Sequence, residues 1–167
     1  MDLIQKSYQI LTWKNNPILR TKSDYIEEID EEVRFFWNIL LKLMRRYDWV
    51  WLAAPQVGKN IRMIATTQRA KPRKELMSET VMINPEIIEK SEKIITYEEA
   101  CLSLPDLGGK VKRHENIVVK YTDLDWKEKI IKLKWFNSVI VQHEIDHLDG
   151  ILFIDRAIKG SVRVVEE

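Results

Sequence analysis

The sequence has 167 residues, 45% of them hydrophobic, and its 27 lysines and arginines nearly balance its 26 aspartates and glutamates. This size suffices for one domain around a single core, so we interpret residues 1–167 as a single domain. The formal net charge of +1 provides no global field for a polyanion such as DNA, and a small molecule or a peptide is the better expected partner.

The amino terminus lacks a basic segment followed by an apolar run, and no stretch reaches the about 18 apolar residues of a membrane-spanning helix. We therefore expect a cytoplasmic protein with no membrane partner. The single cysteine, Cys101, excludes an internal disulfide. Taken alone, it could be a buried small hydrophobe, a reactive thiol or a metal ligand.

The first predicted element is an amphipathic helix that starts near Ile26 and ends near Tyr47. Acidic residues at its start and basic residues at its end match the helix dipole. Its apolar residues recur at three- and four-residue steps, the pattern of a helix with one buried face: Ile29, Val33, Phe36, Trp37, Leu40 and Met44.

Short runs rich in β-branched and aromatic residues follow, separated by turn-forming residues. Their spacing favours antiparallel pairing over crossovers through helices. The segment 69–80 is charged and contains Pro72, which predicts a mobile surface loop. The predicted strands cover residues 50–52, 61–67, 81–83, 94–97, 117–121 and 130–135, with a terminal strand at 162–165.

The last predicted helix starts at a capping residue, Asn137 or Ser138, and ends near Gly150, a residue type that commonly follows a helix. Its many valines and isoleucines indicate that it is buried against the sheets. The elements together predict an α+β fold in which antiparallel β-sheets surround this central helix, with the amphipathic helix nearer the amino terminus.

The central helix contains the HExxH sequence from His143 to His147, with two of the three histidines of the chain. Because residues four apart share a helix face, the two imidazoles can bind one metal ion beside the carboxylate of Glu144. Catalytic centres of this kind use three protein ligands and leave one position for water. No HExxHxxGxxH pattern continues after His147, so the third ligand must come from elsewhere, and Cys101 is a candidate.

Three motifs resemble those of the peptide deformylase family. Residues 52–58 (LAAPQVG) are similar to the family's GxGLAAPQVG loop, residues 99–103 (EACLS) to its EGCLS motif, and residues 142–148 (QHEIDHL) to its QHExDHL helix. The motifs occur in the family's order, and Asn84-Pro85 and Arg113 also match. The resemblance therefore covers nearly the whole chain.

The resemblance implies a hydrolase that removes the N-formyl group from nascent peptides, usually formyl-methionyl peptides, and releases formate. It implies that Cys101, His143 and His147 bind one divalent metal ion, most commonly Fe²⁺, with Zn²⁺, Ni²⁺ or Co²⁺ as substitutes. Thiolate and imidazole ligands suit several of these ions, so the ligands do not select one.

By the same resemblance, Glu144 acts as general base, and the Gln56 side-chain amide and the Leu102 backbone N–H donate hydrogen bonds to the developing oxyanion. Glu99 and Arg113 are expected to form a supporting ion pair near the cysteine. The helical position of Asp146, facing away from both histidines, favours a role behind the ligands or on the surface over catalysis.

His114 lies outside every motif and is expected to be a solvated loop residue. The expected partners are N-formylated nascent peptides. No basic helix near the carboxyl end could bind ribosomal RNA, so contact with the ribosome is expected to be transient at most.

The chain departs from the family at Trp49, Trp51 and Ala100, where the family usually has glycine. Both indoles share one strand face, so both can line the cleft or both can pack beneath it. The substrate contacts are expected at Val50, Trp51, Leu52 and Ala100.

The larger side chains at these three positions leave the catalytic residues unaltered. They predict that formyl-methionyl peptides fit the cleft differently from the way they fit other members of the family. Two alternatives stay open. One is a related metal amidohydrolase or peptidase with an altered substrate, and the other is a catalytically impaired peptide-binding homologue in which the tryptophans block the cleft.

Overall fold

The computed structural model describes residues 8–69 and 76–165, which form two antiparallel sheets packed around a helix. The strands are β1 (Trp51–Ala53), β2 (Met63–Arg69), β3 (Leu76–Lys90), β4 (Ile94–Cys101), β5 (Leu104–His114), β6 (Asn116–Thr122), β7 (Glu128–Lys134) and β8 (Arg163–Val164). One sheet has five strands in the order β1-β2-β3-β6-β7, and the other has the order β4-β5-β8. The predicted α+β class with antiparallel sheets is confirmed.

Helix α1 (Glu31–Arg46) is the predicted amphipathic helix, but it begins later than Ile26. The carboxylate of Asp30 accepts a hydrogen bond from the Val33 N–H at 2.8 Å and so caps the first turn. Ile26 is instead held by Asn84, whose side chain accepts from the Ile26 N–H and donates to the Ile26 carbonyl oxygen. The predicted end at Tyr47 is confirmed, since Tyr47 is the C-cap.

Helix α2 (Phe136–Leu148) carries the HExxH sequence and is buried from Ser138 to Leu148. The predicted cap at Asn137 or Ser138 is wrong, because both residues lie inside the first turn and Trp135 is the N-cap. The Ser138 hydroxyl donates instead to the His114 carbonyl oxygen. Helix α3 (Phe153–Arg156) follows and was not predicted.

Gly150 ends α2 as predicted, with φ of 71° in the left-handed region. The Gly150 N–H donates to the His147 carbonyl and the Ile151 N–H to the Asp146 carbonyl, which closes the helix with a Schellman motif. A Cβ atom at Gly150 would lie 2.6 Å from the Arg20 carbonyl oxygen. Only glycine therefore fits both the conformation and the space.

The predicted loop at 69–80 is wrong at both ends, because Arg69 belongs to β2 and residues 76–80 belong to β3. Residues 70–75, including Pro72, lie outside the described residues. Strand β3 continues to Lys90 through a bulge at Asn84-Pro85, where the register against β6 shifts. Proline has no N–H for the ladder, and a bulge is one of the places in a strand that tolerates it.

The five-stranded sheet is covered by a helix on each face. Alternate residues of β2 pack on opposite sides: Met63 joins the cluster that contains α1, and Ile64 joins the cluster that contains α2. A third cluster, around Phe153 and Val111, includes Cys101. In the described ranges, no helix is long and apolar enough to cross a membrane.

Candidate metal centre

Three potential metal ligands from two elements meet in the interior. Cys101 ends β4, while His143 and His147 lie one turn apart on α2. The Cys101 Sγ lies 3.3 Å from the His147 Nε2, and one donor atom from each of the three residues lies within 4.8 Å of the others. All three residues are buried. The structure therefore brings together the three residues that the resemblance implied as metal ligands.

The cysteine is directed toward α2 by an irregularity in the β4–β5 hairpin. Ala100 pairs with Gly108, but Cys101 pairs with Leu104, so the register shifts between Ala100 and Cys101. Leu102 lies in the turn that follows, and the Ser103 carbonyl oxygen in that turn accepts a hydrogen bond from the amino-terminal segment. The bulge aims the thiol at the helix rather than along the strand face.

Gln56 is oriented toward the same point by a hydrogen bond inside its own loop. Its Oε1 accepts from the Ala53 N–H at 2.8 Å, so its amide nitrogen faces the site. That nitrogen lies 3.5 Å from the Cys101 Sγ and 3.3 Å from the Ser103 Oγ. The fixed amide is therefore an N–H donor beside the three potential ligands.

Glu99 orients the first histidine. His143 Nδ1 lies 2.8 Å from Glu99 Oε2, and a neutral imidazole that donates its Nδ1–H to this carboxylate carries its free lone pair on Nε2. Nε2 has no hydrogen-bond partner within the part of the chain that the structure describes. A carboxylate behind an imidazole is the usual support of a metal-ligating histidine.

Arg113 connects Glu99 to Asp146. Its guanidinium donates to both oxygens of Glu99 at 2.7 and 2.9 Å and to Asp146 Oδ2 at 2.5 Å. Asp146 also accepts two hydrogen bonds from Arg156 at 2.6 and 2.7 Å. Asp146 is buried and is joined through Arg113 to Glu99 behind the candidate ligands, so of the two roles left open for it the surface one is excluded.

His114 is not the solvated loop residue that the sequence suggested. It ends β5 and is half-buried, with its Nδ1 2.7 Å from the Ser91 carbonyl oxygen. Its own carbonyl oxygen accepts hydrogen bonds from Ser138 and Gln142. His114 thus supports the start of α2 and takes no part in the site.

Burial and charge shift the pKa values of the carboxylates in opposite directions. Burial raises the pKa of Glu144 to about 8. Burial also acts to raise the pKa of Glu99, but the hydrogen bonds from Arg113 and His143 outweigh it and hold that pKa at about 2. Glu99 is therefore a permanent anion, while Glu144 can accept and release a proton near neutral pH.

The second histidine stays neutral. Burial is the main cause that lowers the pKa of His147 well below its ordinary value. A neutral imidazole is the form that binds a metal ion.

The orphaned polar atoms test whether a metal ion fits this site. His143 Nε2 and both carboxylate oxygens of Glu144 are buried without a hydrogen-bond partner among the described residues, and Nε2 lies 3.8 Å from Glu144 Oε1. Such atoms are costly to bury unless a ligand, a water or an ion completes them. One thiolate and two imidazoles suit a divalent transition metal, so the residues fit such an ion.

A cavity of about 230 Å³ adjoins His143. Its lining includes Trp49, Trp51, Tyr97, Ala100 and Phe136, so both indoles line the cleft rather than packing beneath it. The Trp49 and Trp51 ring centroids are 5.2 Å apart, and that of Phe136 lies 5.6 Å from that of Trp51. These ring contacts lie along the lining of the cleft.

Two of the residues expected at the substrate do not line this cavity. Leu52 is fully buried in the cluster that contains α1, and Val50 packs against the cluster that contains α2. Val50 contributes its backbone carbonyl to pairing with Thr67. The side chain of Leu52 has no exposed surface in the structure.

Sequence reasoning missed two supports of the site. Arg156, on the short helix α3, pairs with Asp146, and no motif marks it. The amino-terminal segment also holds the site, since the Leu11 N–H donates to the Gln56 carbonyl at 2.7 Å and the Trp13 N–H to the Ser103 carbonyl at 3.0 Å. Every residue except proline has the same backbone donor and acceptor, so hydrogen bonds of this kind cannot be predicted from residue types.

Comparison with known proteins gives one consistent result. The family model for polypeptide deformylase matches residues 7–162. The chain is 41% identical over 152 residues to the peptide deformylase of Dictyoglomus thermophilum, covering 91% of this chain and 94% of the relative. It is 44% identical over 140 residues to that of Endomicrobium trichonymphae, covering 84% and 80%.

Solved structures are similar in fold. A Met-Ala-Ser-bound class I type b peptide deformylase from Acinetobacter baumannii matches with a TM-score of 0.81 and 34% identity, covering 89% of this chain and 96% of that one. A peptide deformylase 1B from Arabidopsis thaliana, in complex with an inhibitor, matches with a TM-score of 0.84 and 32% identity, covering 92% and 83%.

Proposed function

This chain belongs to the peptide deformylase family, hydrolases that remove the formyl group from nascent peptides, and we propose that Cys101, His143 and His147 hold its metal ion. The family is metal-dependent, and the three buried donors could bind an ion. We propose Fe²⁺ as the native ion, with Zn²⁺, Ni²⁺ or Co²⁺ as substitutes. When bound, such an ion lowers the pKa of its water to about 7 and so makes a nucleophile available at neutral pH.

Glu144 is the proposed proton carrier. Its carboxylate accepts a proton from the attacking water and then gives a proton to the nitrogen of the leaving amine. The formyl carbon gains the oxygen of the water and loses its bond to nitrogen, so formate and a free amino terminus are released. The pKa of about 8 supports this role, because the group can exist in both protonation states near neutral pH.

Gln56 and Leu102 are the proposed donors to the formyl oxygen as negative charge develops on it. The orientation of the Gln56 amide, fixed by its bond from the Ala53 N–H, supports this role, since a preorganised donor needs no rearrangement during the reaction. Leu102 follows Cys101 directly, so its backbone N–H lies next to the potential ligand. Loss of one such donor typically lowers turnover by about 10²- to 10³-fold.

Glu99 and Arg113 are proposed to position His143 rather than to touch substrate. The bond from His143 Nδ1 to Glu99 supports this proposal, because it fixes the tautomer that leaves Nε2 available. Arg113 keeps Glu99 ionised and in place by donating to both of its oxygens.

The substrates are formylated nascent peptides, and we propose a formyl-methionyl residue at their amino terminus. A structurally similar peptide deformylase holds Met-Ala-Ser, which supports this substrate class. We propose that residues 1–167 form one catalytic domain that acts in the cytoplasm, where thiols stay reduced. Contact with the ribosome is proposed to be transient at most.

The convergence of Cys101 Sγ on the paired imidazoles is the observation that carries this proposal. The experiment is a formate-release assay on formyl-Met-Ala-Ser with protein purified anaerobically and analysed for metal content. Formate release that depends on the bound metal is expected. Cleavage of an internal peptide bond without formate would instead indicate a metallopeptidase, and metal binding without hydrolysis would indicate an impaired homologue.

A further inference from the structure

Ser103 is a buried serine whose hydroxyl lies beside one of the proposed oxyanion donors. It follows Cys101 by two residues and lies in the turn between β4 and β5. Its Oγ is 3.3 Å from the Nε2 of Gln56, and the residue is fully buried. Ser103 is neither a potential metal ligand nor the proposed proton carrier, so its hydroxyl contributes to the site through Gln56.

The side-chain amide of Gln56 is held at both ends. Its Oε1 accepts a hydrogen bond from the Ala53 N–H at 2.8 Å, and its Nε2 donates to the Ser103 Oγ. A bond at Oε1 alone would let the amide pivot about that oxygen, whereas a second bond at the nitrogen removes this freedom. Because the amide group is planar, the two bonds together fix the directions of both N–H bonds.

The second hydrogen of the Gln56 amide is directed at the candidate metal centre. Nε2 carries two hydrogens, and its other acceptor in the described part of the chain is the Cys101 Sγ at 3.5 Å. Sulfur is a weak acceptor, and an oxygen that develops negative charge is a much stronger one. This N–H can therefore turn to the formyl oxygen as its charge grows, while the bond to Ser103 stays in place.

The turn that carries Ser103 is tied to the loop that carries Gln56. The Trp13 N–H donates to the Ser103 carbonyl oxygen at 3.0 Å, and the Leu11 N–H donates to the Gln56 carbonyl oxygen at 2.7 Å. One short segment of backbone thus joins both parts of the site. The segment keeps the Ser103 hydroxyl and the Gln56 amide at a set separation.

We propose that Ser103 is a positioning residue for the hydrolysis: by accepting one N–H of the Gln56 amide, its hydroxyl directs the other N–H at the formyl oxygen. The inference rests on the proposed function and deepens it. Ser103 touches neither the substrate nor the reacting atoms. Its effect on the rate comes from geometry, since a misplacement of about 1 Å in an active site can lower the rate by about 10²-fold.

The test is a double-mutant cycle between Ser103→Ala and Gln56→Ala, with kcat and KM measured for formyl-Met-Ala-Ser at saturating metal. Gln56→Ala removes the donor and should lower kcat by about 10²- to 10³-fold. Ser103→Ala keeps the donor but lets it pivot, so kcat should fall by roughly 10- to 10²-fold while KM stays within about threefold. In the Gln56→Ala background, the same change should alter kcat by less than about threefold, because the group on which Ser103 acts is gone.

Ser138→Ala is the matched control. Ser138 is also fully buried, and its Oγ accepts from a glutamine amide, the Nε2 of Gln142, at 2.9 Å. The variant therefore loses the same kind of buried hydrogen bond at the start of α2, without any change to Gln56. Its kcat should stay within about threefold of the parent in both backgrounds.

Two kinetic results overturn the proposal. One is a kcat of Ser103→Ala within about threefold of the wild type. The other is a fall of the same size in the wild-type and Gln56→Ala backgrounds, because Ser103 would then act independently of Gln56. If Ser103→Ala does not fold, hydrogen exchange in the wild type decides: the exposed side-chain amide of Gln9 should exchange at least about tenfold faster than that of Gln56, and equal rates overturn the proposal.

The proposed function fails separately, if the metal-loaded wild type releases no formate from the peptide. The positioning of Gln56 by Ser103 is then decided by NMR on ¹⁵N-labelled protein loaded with Zn²⁺, in which the Gln56 amide signals are assigned by their loss in Gln56→Ala. Their hydrogens should exchange with solvent at least about tenfold faster in Ser103→Ala than in the wild type, and at an unchanged rate in Ser138→Ala. Equal rates in Ser103→Ala and the wild type overturn the proposal.

Discussion

The Nδ1 nitrogen of His143 lies 2.8 Å from Oε2 of Glu99, and this bond joins the candidate metal centre to a buried network of charges. Arg113 donates to Glu99 and to Asp146, and Arg156 donates to Asp146 from a separate helix. The network holds β4, β5, α2 and α3 in one arrangement. The orientation of a single imidazole therefore depends on four elements.

Glu99→Gln tests the support of His143. The amide keeps an acceptor but loses the charge that favours the Nδ1–H tautomer, so metal affinity or activity should fall by about 10- to 100-fold. Metal titration and kcat measured at saturating metal separate the two effects. Glu86→Gln, at an exposed pair with Lys120, is the control and should match the wild type. Equal metal affinity and activity in Glu99→Gln and the wild type would show that Glu99 does not orient the ligand.

Arg113→Met tests the network itself. Among the described residues, removal of the guanidinium leaves buried Glu99 with only His143 as a partner and buried Asp146 with only Arg156, which should lower the free energy of unfolding by about 3–5 kcal/mol. Urea denaturation measures this loss. The matched control is Arg163→Met, whose pair with Glu98 is exposed and should cost no more than about 1 kcal/mol. Similar losses in both variants would contradict the assignment.

Glu144→Gln tests the proton carrier. The substitution preserves the shape of the side chain but removes the group that accepts and returns the proton, so kcat should fall by about 10²- to 10⁴-fold. Metal content, measured by elemental analysis, should not change, because Glu144 is not among the three clustered donors. A kcat within threefold of the wild type, on the order of 1 kcal/mol or less in barrier, would remove Glu144 from the mechanism.

Gly150→Ala tests the end of the HExxH helix. The φ of 71° costs an alanine about 1–2 kcal/mol, and the contact of its Cβ with the Arg20 carbonyl oxygen adds strain. Gly160→Ala is a well-matched control, since Gly160 has φ of 80° but no atom within 4 Å of an added Cβ. Thermal unfolding should show a larger loss at position 150. A loss at position 160 that is as large or larger would mean that the contact is unimportant.

Exposure to air tests the identity of the ion. A ferrous ion beside the Cys101 thiolate is open to oxidation of both metal and sulfur, so activity should fade faster in air than under nitrogen. Protein reloaded with Zn²⁺ or Ni²⁺ is the control and should lose activity at the same rate in both atmospheres. Equal half-lives for the freshly isolated protein would favour zinc or nickel as the native ion.

The sequence predicts an element correctly where its residue pattern alone decides the backbone conformation. Helix α1 follows from the spacing of its apolar residues, and its end at Tyr47 was predicted correctly. Its start was wrong because Ile26 fits the helical spacing, yet the side chain of Asn84 holds its backbone in another conformation. A distant residue overrode a local preference.

Strand β5 was missed for a similar reason. Pro105 and the pair Gly108-Gly109 indicate turns when they are read locally. In the fold, an added Cβ at Gly108 would lie 2.8 Å from a methyl group of Val165, so the space beside this strand is occupied by the chain end. The glycines mark a close approach of two strands rather than a break.

The sequence by itself determined the chemistry, because HExxH needs only the pitch of a helix to place two imidazoles and a carboxylate together. Tertiary structure decided everything that depends on contacts between distant segments. The β4–β5 bulge aims Cys101 at α2, Arg113 and Arg156 converge on Asp146, and Trp49 and Trp51 turn toward the cleft. The sequence shows which chemical groups the protein has, but only the packing of its helices and strands decides which side chains from separate elements come together.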